Sequence, residues 1–172
     1  MPKRATRGRA TSVGFGYYRR VARLPSVALL SVRVYLGVAL FLAGWSKVEK
    51  GFPDGRKLAD IVRKWLGSGT PYDAVEPFLR DVILPHAALF AFLVAWGELL
   101  GGACLVLGLL TRPAAFGALL LTTAICLASG EVFWEAGTAP AFVFMSLAVL
   151  IAGGRFVGID ARLQGKVPRF LA

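Results

Sequence analysis

One apolar run, Ala87 to Leu110, constrains this chain more than any other stretch, and a single charge, Glu98, interrupts it. About 20 apolar residues in a helix cross the hydrocarbon of a bilayer, so the run reads as a membrane span with a carboxylate near its middle. An acid at that depth is costly in lipid, and it is expected to face protein and to have a partner. Gly97 and Gly101 flank it as a small-xxx-small pair, which lets another helix approach closely. The run stops at Arg112-Pro113, a charge followed by a helix breaker.

Three further runs have the same character. The four spans are placed at residues 25–46, 86–110, 113–129 and 136–154, inside a membrane domain of residues 25–163. The fold class read here is an all-α membrane protein, a four-transmembrane-helix bundle. A composition 56% hydrophobic is too apolar for an ordinary soluble surface. The net charge of +10 lies mostly in tails and loops, and no stretch resembles a nucleic-acid motif. The partner implied for the basic residues is therefore the anionic lipid of the bilayer, not nucleic acid.

Residues 1–24 form a basic tail, expected to be partly disordered and cytoplasmic. Arg19-Arg20 stands before an apolar run, as in a twin-arginine export signal, but the run is long and no A-x-A site follows it. It is read as a retained first helix. Residues 164–172 are a second cytoplasmic tail.

The long connection, residues 47–85, carries two helical stripes. Leu58, Ile61, Val62, Trp65 and Leu66 form one; Val75, Phe78, Leu79, Val82 and Ile83 form the other, after a candidate capping box of Asp73 and Glu76. They predict short amphipathic helices lying on the membrane or over the bundle mouth. Pro77 is placed to kink the second. Four spans put both termini on one side, which carries twelve Lys and Arg residues against seven on the other. The positive-inside rule makes that side cytoplasmic. Trp45, Trp65 and Trp134 then fall near the outer boundary, where aromatic anchors gather.

Glu98 is the first candidate for chemistry, either as a proton-handling group beside a bound molecule or as a structural acid that fixes packing. Arg33, the only charge of span one, either snorkels to lipid phosphate or forms a buried pair with Glu98. Lys47 is placed to hold an anionic substrate, or to snorkel at a helix end. His86 could exchange protons with a quinone headgroup, or act as an interfacial polar residue. Cys104 and Cys126 lack CxxC spacing and read as small apolar core residues. One histidine and two separated cysteines give no metal site, and no covalent-cofactor motif appears.

Arg33 and Gly37, the block Gly44-Trp45-Ser46-Lys47, the block Gly97-Glu98-Leu99-Leu100-Gly101-Gly102 and the turn Leu107-Gly108-Leu109-Leu110-Thr111-Arg112 together resemble the DoxX/DoxD family of small four-helix bacterial membrane proteins. Gly158-Ile159-Asp160 resembles the family's short Gly-x-Asp ending. The likeness covers about residues 26–163; position by position it carries over Arg33, Lys47, Glu98 and Arg112. It implies a redox-linked protein of the bacterial inner membrane. One branch of the family supplies the membrane subunit of thiosulfate:quinone oxidoreductase, and others are partners in membrane oxidoreductase complexes.

The resulting expectation is a quinone-linked membrane subunit of an oxidoreductase complex, with quinone as its cofactor and other subunits, or further copies, as partners. Glu98 and Arg33 would carry the chemistry; Lys47, Trp45, His86 and Trp96 would hold the quinone, which would enter between spans one and two. The alternative is a non-catalytic scaffold that binds a larger complex or a lipid. A small-solute transporter is disfavoured by the lack of inverted repeats or interrupted spans.

Overall fold

The computed structural model describes residues 24–68, 72–130 and 138–153. The readings made for residues 1–23, for Trp134 and for Gly158-Ile159-Asp160 lie outside them. Among the described residues the chain is entirely helical. Helix α1 is Leu24–Glu49, α2 is Arg56–Ser68, α3 is Val75–Phe78, α4 is Ala87–Leu107, α5 is Thr111–Ser129 and α6 is Thr138–Ala152. A 3-10 turn, Phe52–Asp54, joins α1 to α2, and α3 runs into a π-helical turn at Leu79–Ile83.

Three of these helices, within Val27–Glu49, Ala87–Leu107 and Thr111–Ser129, are long and apolar enough to cross a membrane. Helix α6 is apolar but only 15 residues long. The four long helices pack in a ring in the order α1, α4, α5, α6. Leu36, Leu40, Leu105, Ala115, Ala118 and Val149 fill its centre. The outside is apolar as well: Tyr35, Leu42, Leu89, Leu100, Phe144 and Ile151 are all well exposed. In water such a surface would drive aggregation, whereas lipid covers it without cost.

Two boundaries differ from those read in the sequence. Helix α1 continues beyond Ser46 to Glu49, so Lys47 belongs to its last turn. Helix α4 stops at Leu107, short of Leu110, because Gly108 takes a left-handed φ of 66° and its N–H turns back to the Cys104 and Leu105 carbonyls. Leu110, with φ 49°, is left-handed too, which costs a residue with a Cβ about 1–2 kcal/mol. Leu110→Gly is therefore expected to raise stability by about 1 kcal/mol, read as a higher melting temperature in detergent.

The cap over one end of the ring is built from the long connection. Val62 of α2 is buried with Leu79, Ile83 and Ala128, and Leu58, Trp65 and Leu66 pack against them. Most of the apolar stripe of α2 is thus spent on the protein itself, and Arg56, Lys57, Arg63 and Lys64 face outward. The capping box is not formed. The residue capping α3 is Ala74, and Glu76 instead accepts a hydrogen bond from Arg80 Nη2 at 2.6 Å. Pro77 lies within the first turn of α3, where a missing N–H costs little. The ladder then widens, with the Leu84 N–H bonding the Leu79 carbonyl at 3.0 Å.

Candidate functional site

The site is set by how α1 meets α4. The inner face of α4 is a stripe of small residues, Ala87, Ala91, Ala95 and Gly102, with Glu98 among them and all of them buried. The face of α1 that meets it carries Gly37, Leu40, Gly44 and Lys47, spaced three and four residues apart. A Cβ built on Gly44 would run into the Leu99 backbone and come within 2.9 Å of the Ala95 carbonyl oxygen. One on Gly37 would lie 2.9 Å from the Val106 nitrogen, and one on Gly102 would strike the Phe41 backbone. These three glycines bring the backbones into contact and fix the antiparallel register.

That register decides the partner of Glu98. Side chains of a helix lean toward its own N-terminus. On antiparallel helices, Lys47 therefore leans back toward Gly44 while Glu98 leans toward Ala95, and their heads meet. Lys47 Nζ donates to both carboxylate oxygens of Glu98. Glu98 is 4% exposed and Lys47 29% exposed, so the pair joins the interior to the mouth of the ring. The ammonium also lies 5.8 Å from the centroid of the Phe52 ring, which the 3-10 turn holds against Ala91 and Ala95.

The Arg33–Glu98 pair, one of the two readings open for Arg33, is not made. Arg33 lies 14 residues before Lys47, about 21 Å along α1, on the part of the helix that faces the far end of α4. It is buried there. The register that Gly37, Gly44 and Gly102 impose, which no single span reveals, sets Lys47 and not Arg33 beside the acid.

Among the described residues, an open space lies between α4 and α5. A cleft of about 850 Å³ is lined by Glu98, Phe90, Trp96, Gly97, Gly101 and Gly117, with Leu40 of α1 behind. The seam between α1 and α4 (spans one and two), where quinone entry was expected, is closed by backbone contact. Gly97 and Gly101 do not serve helix approach within this chain. A Cβ on either, or on Gly117, would meet nothing within 4 Å, so these glycines make volume.

Of the other candidates, Trp96 borders the cleft. Trp45 stacks on Phe41 with centroids 6.4 Å apart and is 57% exposed on the outside of the ring. His86 is exposed at the N-cap of α4, about 18 Å along the helix from Glu98. Cys104 and Cys126 are not joined in a disulfide, and they are half-buried and buried respectively. Among the described residues, no three His, Cys, Asp or Glu side chains gather.

A family model, DoxX, matches residues 28–131, which contain all but the first residues of α1, the whole of α4 and α5, the Lys47–Glu98 pair and the cleft. The chain belongs to the DoxX family. This DoxX protein is a membrane protein, by its family and by three helices of bilayer length. No match was found among curated proteins or solved structures. The matched region leaves out α6, so the DoxX core holds every residue of the site but only three sides of the ring.

Proposed function

We propose that this DoxX protein is the quinone-linked membrane subunit of a redox complex in a bacterial inner membrane. In this reading α6 is the fourth span. Both termini lie in the cytoplasm, and the cap formed by α2 and α3 faces outward, as the distribution of basic residues argues. Glu98 carries the reading: a buried, lysine-held carboxylate on the wall of an apolar cleft. Small-molecule sites are largely apolar with a few placed polar groups, and about 300–1,000 Å³ in volume. The planar ring of a quinone would lie across Gly97, Gly101 and Gly117, whose missing side chains leave a flat floor. Trp96 and Phe90 would border it, and the isoprenoid tail would leave through the side open to lipid. Glu98 has oxygen lone pairs beyond those taken by Lys47; as a carboxylate it would accept the O–H of a quinol, and as a carboxylic acid it would donate to a quinone carbonyl oxygen.

Electrons would come from a second, reduced subunit. The outward charged face of α2 offers a place for it, and that face is also what favours the scaffold alternative.

Binding of a short-tailed quinone to purified protein in nanodiscs tests the reading. Gly101→Leu and Gly117→Leu would fill the cleft and are expected to weaken binding at least tenfold. Nothing stands where their side chains would start, so melting temperature should hardly change. Saturable quinone binding that ignores both substitutions would remove the cleft from the proposal. Absence of binding to the wild type would leave the scaffold.

A further inference from the structure

We infer that Lys47 is a proton relay between water and Glu98, an inference that rests on the quinone reading above. The two ends of the pair meet different surroundings. Lys47 sits in the last turn of α1 and is 29% exposed, whereas Glu98 is 4% exposed and lines the cleft. The ammonium bonds both carboxylate oxygens, so no gap separates the two groups. Around them the packing is apolar: the Phe52 ring lies against the ammonium, and Ala91, Ala95 and Val94 surround that ring. Among the described residues, no other acid or base is buried beside Glu98, since the only other buried charge, Arg33, lies far along α1. Among the described residues, a proton bound for the cleft from this end of the ring therefore has one polar route, through Lys47 and Glu98.

Reduction of a quinone to a quinol takes two electrons and two protons. The electrons come from the reduced partner subunit, or from an electrode. For each proton, the Lys47 ammonium gives up an N–H proton to the Glu98 carboxylate. The resulting carboxylic acid donates its O–H proton to the reduced quinone oxygen and returns to carboxylate. The Lys47 amine then takes a proton from water at the mouth. Each cycle moves one proton from water to the quinone oxygen and leaves the pair as it began. Lys47 acts through Glu98 and touches no quinone, so it is a positioning and relay residue.

A structural role and a relay role separate at Lys47→Arg. Arginine keeps a cation against Glu98, but a guanidinium does not give up its proton under these conditions. The variant is therefore expected to fold and to bind short-tailed quinone within about twofold of wild type. In electrode-driven reduction of the bound quinone, its rate should fall at least tenfold. Lys47→Ala gives the second reading. Small primary amines added from water should restore its rate, and more basic amines should do so with a regular dependence on their pKa. Wild-type rates in Lys47→Arg, or rescue that ignores amine basicity, would overturn the relay while leaving quinone binding intact. Wild-type protein that binds no quinone would overturn the underlying reading, and the relay with it.

Discussion

Replacing Gly44 with alanine should cost the fold about 3 kcal/mol, while the same substitution at Gly97 should cost nothing. Both residues are helical glycines in membrane-spanning segments, and a hydropathy plot treats them alike. The difference lies in what the added methyl meets. At Gly44 it meets the Leu99 backbone and the Ala95 carbonyl oxygen, and backbone does not give way as a flexible side chain does. Overpacking of a core costs about 1–3 kcal/mol where neighbours can shift. Here the only relief is to part α1 from α4, which loosens the closest helix pair in the ring and pulls Lys47 away from Glu98. Against a total stability of about 5–15 kcal/mol, such a loss should show as poor extraction and a sharply lower melting temperature in detergent. At Gly97 the methyl enters the open cleft, and alanine favours helix over glycine by about 0.5–1 kcal/mol. Equal effects at the two positions would mean that α1 and α4 do not pack in this register.

The second large effect is an asymmetry within the ion pair. Lys47→Met is expected to destabilise by about 3 kcal/mol, because it strands a carboxylate that is 4% exposed with no cation beside it. Glu98→Leu should cost less, about 1 kcal/mol, because the ammonium is already 29% exposed and can swing to water on its long stem. The double variant should be more stable than Lys47→Met alone, since replacing both charges by apolar groups removes the stranded carboxylate along with its partner. Thermal unfolding of the four proteins in one detergent forms a double-mutant cycle. Additive losses would mean that the two charges are not coupled, contrary to the bond between them.

Much of the fold was legible along the chain. Membrane spans are a matter of length and hydropathy, both one-dimensional properties, so α1, α4 and α5 could be placed to within a few residues. The stripe Leu58, Ile61, Val62, Trp65 and Leu66 likewise announced a helix with one apolar face, although Ile61 is exposed, because 3.6-residue periodicity survives without knowledge of neighbours. The buried acid was legible too: an ionisable residue amid 20 apolar ones must find protein.

What it finds there could not be read that way. Trp45 and Lys47 are two residues apart, yet one faces outward and the other points into the ring, a matter of azimuth around α1. Gly97, Gly101 and Gly102 look interchangeable in sequence, yet the first two make volume and the third makes contact.

Composition and periodicity by themselves determined that this chain enters a bilayer and that Glu98 is sheltered there by protein, because transfer from water to lipid depends only on which atoms are present. Tertiary structure alone decided that Lys47, not Arg33, holds the acid and that the cleft opens between α4 and α5. The first follows from backbone contact at Gly37, Gly44 and Gly102 and the second from the missing side chains of Gly97, Gly101 and Gly117; which glycine does which depends on register and rotation, which no single helix carries within itself.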